Sequence, residues 1–226
     1  MAFTVTLLEM KTRAKERADM VNSNFISPDE LTSLINESYS DLYDDMVTSN
    51  EDYFITEYPF TLASGESSLS VPSNFYKIRG VDRLTGSNAI PLKRYSWSQR
   101  GVKNYYNGAT GGYANYMYRL TGDEVSIIPK NSAPGDYTLW YVKTYVKLVD
   151  DADTIDSVNG WEKIIILDTA IKMLTKEESD TSALERERAE KYQRIMNSLN
   201  ERDLAQPKKI QKESNNNPED FFGRRF

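Results

Sequence analysis

Charged and apolar residues mingle at the start of the chain. Thr4 to Val21 is charged and free of proline, with Val5, Leu8 and Val21 among its larger apolar residues, and it predicts a short amphipathic helix. The next signal is stronger. Ser27 stands where a cap is needed, Pro28 fits the first helical position and Glu30 completes a capping box, while Ile26 and Leu31 occupy the places of a hydrophobic staple. Leu31, Leu34, Ile35, Tyr39, Leu42 and Met46 then recur at three- and four-residue spacing, which predicts a helix from Pro28 to about Thr48 with one buried face.

After Asn50 the pattern shortens to alternating, β-branched and aromatic runs separated by Gly, Pro, Ser and Asn, the signature of small antiparallel strands. Candidate strands are Tyr53 to Leu62, Phe75 to Leu84, Ala89 to Arg94, Tyr116 to Leu120, Val125 to Pro129 and Tyr137 to Val146. Turns are expected at Gly86-Ser87-Asn88, Gly122-Asp123 and Pro134-Gly135-Asp136. Trp97 to Ala114, rich in Gly and Tyr without a period, reads as a long loop.

Beyond the acidic segment Asp150 to Asp156 come Gly160 and Trp161, and then Ile164, Leu167, Ile171 and Leu174 at heptad-like spacing, which predict a helix to about Glu178. Ser182 and Glu185 suit a second capping box, and Leu184, Tyr192, Ile195 and Leu199 mark a last helix, antiparallel to the one before it if the chain breaks near Asp180. From Leu204 the chain carries Pro207, Pro218 and a polar run, and shows no period. The expected fold is therefore α+β. A helical bundle body, built from residues 1–50 and 149–203, receives an inserted small antiparallel β domain over 51–148, sandwich- or barrel-like, and continues into an extended C-terminal arm over 204–226.

Composition narrows the chemistry. The 226 residues hold no cysteine and no histidine, which removes disulfides, thiolate nucleophiles, Ser-His pairs and the commonest zinc ligands. The formal net charge of -6 argues against a dedicated nucleic-acid binder. No run of apolar residues approaches a membrane span and the start has no signal-peptide core, so the chain is expected to be made in the cytoplasm and to need no membrane. Asp151, Asp153 and Glu162 fall near calcium-loop spacing, but Ile155 takes a ligand position and Asp156 replaces the required glycine. That segment reads as a solvated connector before a helix N-terminus. No catalytic, cofactor or metal residues are assigned, and Gly108, Gly111 and Gly112 lack the Gly-Lys-Ser/Thr of a phosphate loop.

Two constellations point to binding. Trp97, Arg100, Tyr105, Tyr106 and Tyr113, with Lys93, Arg94 and Lys103 nearby, suit a protein interface, since Tyr-Gly-Asn loops supply contact area at low entropy cost. Stacking on single-stranded bases or sugars is the competing use, and for Tyr116 and Tyr118 packing inside the domain competes equally. At the C-terminus, Phe221, Phe222 and Phe226 with Arg224 and Arg225 combine aromatic and arginine chemistry typical of interface hot spots. The 23 residues from Leu204 to Phe226 can span on the order of 75 Å when extended.

The order of parts, with the runs from Tyr118 to Pro129 (YRLTGDEVSIIP), from Gly135 to Val142 (GDYTLWYV) and from Trp161 to Ile165 (WEKII), resembles the head-to-tail adaptor (connector) proteins of tailed bacteriophages. The resemblance implies a non-enzymatic virion protein of the neck between capsid portal and tail. It implies a ring, usually a dodecamer, that binds the portal protein above and a tail or nozzle protein below, with DNA only in passage through the channel. A stopper or tail-tube protein would keep the same interaction role. A nucleic-acid- or glycan-binding module comes next, and an enzyme last.

Overall fold

The computed structural model describes residues 4–100, 116–130, 133–156 and 160–201. The chain opens on a strand, β1 (Thr4–Thr6), followed by helix α1 (Leu7–Arg17). The helix expected from Thr4 to Val21 is thus shorter at both ends. Thr6 ends the strand as a helix cap: its hydroxyl accepts from the Glu9 N–H at 3.2 Å, and the Glu9 carboxylate accepts from the Thr6 N–H at 3.1 Å. Val5 is buried across from Ile155 in a short antiparallel pair with β10 (Thr154–Asp156). The solvated connector expected over Asp150 to Asp156 is therefore partly a strand.

Helix α2 (Pro28–Ser49) starts where expected, with the Ser27 hydroxyl accepting from the Glu30 N–H at 3.2 Å. Glu30 does not close the box. Its carboxylate reaches Lys176 at 2.5 Å, because a tertiary ion pair competes with the local contact. Helix α3 (Glu162–Lys176) departs from the heptad reading: Ile164, Ile165, Ile166, Leu167, Ala170 and Met173 are all buried, since α1, α2 and the last helix surround it. Ile171 and Leu174 are only partly buried. That last helix, α4 (Ser182–Glu201), does not form the expected Ser182–Glu185 box. Asp180 accepts from the Ser182 N–H at 3.0 Å, and the Thr181 hydroxyl donates to Glu185 at 2.6 Å. The four helices, with Val5, Leu148 and Ile155, enclose one apolar cluster. Each fully buried Leu, Ile or Met there contributes about 1.5–3 kcal/mol before ordering costs.

Between α2 and α3 the chain forms two four-stranded sheets. The first holds β2 (Ile55–Leu62), β9 (Gly135–Lys143), β4 (Phe75–Thr85) and β5 (Asn88–Pro91) in that order. The second holds β3 (Ser68–Ser70), β8 (Glu124–Ile128), β7 (Met117–Thr121) and β6 (Lys93–Arg94). A 3-10 turn, Glu51–Phe54, replaces the expected beginning of β2, and Pro59 is tolerated because β2 is an edge strand. Phe60, Leu62, Val81, Tyr137 and Leu139 of the first sheet meet Tyr118, Val125 and Ile127 of the second in a separate apolar cluster. Two-residue turns at Gly86-Ser87 and Gly122-Asp123 carry a positive φ at each glycine, of 62° and 58°. One pairing departs from the antiparallel expectation: β6 runs parallel to β7, with Lys93 opposite Met117 and Arg94 opposite Tyr118.

Helices and sheets meet at β9. Val142 is fully buried against Tyr43 and Val47 of α2, and the Tyr43 hydroxyl donates to the Lys143 carbonyl. Burial, together with the nearby Tyr39, Tyr76 and Asp44, pushes the Tyr43 hydroxyl up to about 12. A few residues later Asn36, also buried, holds both backbone groups of Leu148 at 2.8 Å each.

Candidate interaction surface

The parallel β6–β7 pair sets up the most distinctive exposed group of side chains. Leaving β6, the Tyr95 N–H donates to the Tyr118 carbonyl at 3.1 Å, and the Tyr95 ring turns inward, only 3% exposed. Burial raises its hydroxyl pKa, with Arg119 acting in the opposite sense. Ser96 and Gln99 then form a reciprocal capping box around a 3-10 turn, Trp97–Gln99. Because the turn is anchored at both ends, it holds the Trp97 ring outward, 53% exposed.

Two guanidinium groups lie over that ring. Arg100 lies 4.7 Å from the ring centroid and donates to the Trp97 carbonyl at 2.9 Å. Arg119, from β7, lies 5.5 Å away and donates to the Tyr95 carbonyl at 3.3 Å. At exposed sites each such cation–π contact contributes about 0.5–1 kcal/mol. The carbonyl bonds restrain both arginines, an arrangement that lowers the ordering cost of any contact such a surface makes. Lys93 and Arg94 on the edge strand extend the positive surface.

Of the residues expected from the sequence to interact, the structure brings Trp97 and Arg100 into contact. Tyr105, Tyr106 and Tyr113, and the terminal Phe221, Phe222, Arg224, Arg225 and Phe226, lie outside the described residues. Tyr118 is buried in the inter-sheet cluster, so packing is its role. Tyr116 lies under the Arg83 guanidinium at 3.8 Å. Arg119 was missed by sequence reasoning: it is far from Trp97 along the chain, and only the parallel register brings the two together. A basic residue in a strand beside an aromatic loop is the one signal that pointed toward it.

The acidic segment has partners within the chain. Asp153 accepts from the N–H groups of Val149 at 2.7 Å and Asp150 at 2.9 Å, and these bonds hold its pKa below the usual value. Asp151 pairs with Lys11 at 2.7 Å. Among the described residues, no group of three or more Asp, Glu, His or Cys side chains is placed to hold a metal ion, and no helix is long and apolar enough to cross a membrane.

Carboxylates do gather on the helices. Lys172 of α3 meets Glu37 at 3.2 Å and Asp41 at 3.3 Å on α2, and Asp168 at 3.1 Å on its own helix. Asp168, nearly buried, is also paired with Arg188 of α4 at 3.0 Å. Burial opposes the Lys172 charge, but the bonds and charges of Asp168 and Glu37 together outweigh it and raise the pKa. Further along α2, Asp44 accepts a hydrogen bond from Tyr76, and Asp45 one from Tyr192 of α4. These last partners are neutral hydroxyls. The arrangement presents two surfaces of opposite sign suited to macromolecular contact.

Comparison with protein-family models matches residues 5–214 to the family described as SU10 adaptor protein. The match runs from β1 past the end of α4 and takes in the Trp97 turn. Comparison with curated proteins finds no match.

Proposed function

The chain belongs to the SU10 adaptor protein family, a family of phage head-tail adaptors, and on that premise we propose that it is a structural protein of the virion neck whose copies form a ring joining the portal to the tail. The family match over nearly the whole described chain carries this reading. The absence of histidine and cysteine from the sequence agrees with a non-enzymatic role.

In this reading the helical elements of residues 1–50 and 149–203 are the body, and the β region of residues 51–148 is an inserted domain whose Trp97 surface contacts another protein. A direct anchor favours that assignment: Val142 against α2, the Tyr43–Lys143 bond and the Asn36–Leu148 clamp connect β domain and helices at several points, so force on one is felt by the other. The segment 204–226, with Phe221, Phe222, Arg224, Arg225 and Phe226, is proposed as an arm that docks on the portal or on a neighbouring subunit. A ring with a DNA channel must let the duplex slide, and a net charge of -6 suits that requirement.

Electron microscopy of the virion, or of the purified protein mixed with portal, tests the proposal. Density for this chain should lie in rotational symmetry between portal and tail. Density in the tail shaft, or a subunit that leaves the portal bare, would refute it.

A further inference from the structure

Residues 83–122 contain no aspartate or glutamate and carry Arg83, Lys93, Arg94, Arg100, Lys103 and Arg119. Helix α2 is the converse: it carries Asp29, Glu30, Glu37, Asp41, Asp44 and Asp45 with no lysine or arginine. One chain thus holds a base-free helix and an acid-free segment of equal and opposite formal charge.

The two do not neutralise each other within a subunit. Helix α2 packs on Val142, on the face of the first sheet opposite the inter-sheet cluster. The second sheet lies across that cluster, and β6, with Lys93 and Arg94, is its edge strand. The thickness of two layers therefore separates the acidic helix from the basic edge. Among the described residues, Lys93, Arg94, Arg100 and Arg119 meet no carboxylate. On α2, Glu30, Glu37 and Asp41 share Lys176 and Lys172, while Asp44 and Asp45 meet the hydroxyls of Tyr76 and Tyr192 among the described residues.

We propose that the Trp97 surface of one copy docks head to tail on the α2 face around Asp41, Asp44 and Asp45 of a second copy. This rests on the ring reading above and specifies its lateral contact. A heterologous contact between two different patches leaves one patch of each kind free on every growing chain of subunits, so addition continues until the ring closes. Opposite charge sets register and excludes like-facing arrangements, in which the two patches of one sign would meet. Trp97, with Arg100 and Arg119 over its ring, supplies the apolar anchor. Polyphosphate would also be drawn to this surface, but the matched charge on the same chain favours a second copy.

The test uses charge reversal on exposed positions of the full chain: K93E/R94E on the β edge and D44K/D45K on the helix. Far-ultraviolet circular dichroism and urea midpoints check folding, and the neutral pairs K93Q/R94Q and D44N/D45N serve where reversal disturbs it. Association is followed by sedimentation velocity and electron microscopy, with and without portal. Each reversed chain alone should associate about tenfold more weakly or worse, as expected for removing close charge pairs, and the neutral pairs should lose less. An equal mixture of the two reversed chains should assemble as the wild type does, because each mutated patch then faces the other. Wild-type assembly should weaken with added salt. If wild type assembles and the reversals leave it unchanged, or the mixture fails to recover, the pairing is wrong while the ring stands. If K93E/R94E instead loses retention on duplex or single-stranded DNA with self-association intact, the surface is a nucleic-acid site and the pairing is again wrong. A wild-type chain that associates neither alone nor with portal overturns the ring reading and the pairing together.

Discussion

Replacing Asn36 with leucine would remove one buried side chain that satisfies two backbone groups of a distant residue. Asn36 is 4% exposed; its amide nitrogen donates to the Leu148 carbonyl at 2.8 Å and to the Thr32 carbonyl at 2.9 Å, and its oxygen accepts from the Leu148 N–H at 2.8 Å. Leucine has nearly the same shape, so the change creates little cavity. The Thr32 bond lies within α2 and its loss is minor. What remains is a buried N–H and a buried C=O on Leu148 without their partner, at about 1–3 kcal/mol each. Local relaxation favours the lower half of that range, giving an expected loss of about 3 kcal/mol and, for a chain of this size, a fall in Tm of about 6–12 °C.

Urea unfolding followed by tryptophan fluorescence measures this directly, with an unchanged slope confirming that only stability has moved. N36D separates hydrogen bonding from shape. A carboxylate there still accepts from Leu148 N–H but faces the Leu148 and Thr32 carbonyls, so its folded pKa should lie above the unfolded value of about 3.9. The folded state then binds more protons than the unfolded one, and stability falls as pH rises between those two pKa values. N36D should therefore be most impaired at neutral pH and recover as pH drops toward 4. A loss below about 0.5 kcal/mol for N36L, where about 3 is expected from two orphaned groups, would refute the reasoning.

Alkaline stability should depend on two buried tyrosines: burial pushes Tyr43 and Tyr137 up to about 12. Because the folded chain keeps protons that the unfolded chain loses above about pH 10, stability should fall as pH rises from 10 to 12, and urea midpoints of Y43F and Y137F should fall less over that range. Truncation after Asn217 should leave the urea midpoint of the isolated subunit nearly unchanged and abolish co-sedimentation with portal. Normal attachment would show the arm to be dispensable. Deleting Tyr105 to Gly112 should give a folded chain that assembles poorly, and unchanged ring yield in electron micrographs would place the interface elsewhere.

Signals that act over a few residues were legible in advance. Ser27, Pro28 and the Ile26–Leu31 staple start α2 where expected, because a cap and a proline act on their own turn of helix. Gly86 and Gly122 close hairpins because positive φ is a local requirement. Trp97 and Arg100 were assigned to one surface by proximity in the chain, and a 3-10 turn joins them. The resemblance to adaptor proteins, carried by short runs in β7 to β9 and at the start of α3, agrees with the family match.

What escaped the sequence is long-range. Thr4–Thr6 becomes a strand because Thr154–Asp156 lies beside it, and three residues alternate too briefly to announce a strand alone. Arg119 reaches Trp97 through a parallel register that no local pattern encodes. Asn36 looks like an ordinary polar position in an amphipathic helix until Leu148 arrives to use both ends of its amide. The connector reading of Asp150 to Asp156 missed the strand Thr154–Asp156 for the same reason, since its partner β1 lies at the other end of the chain. Caps, glycine turns and helical periodicity are energies of neighbouring residues and can be read in order along the chain. Strand pairing, burial of a polar side chain and the meeting of charges depend on which distant segment completes the contact, and folding brings those segments together.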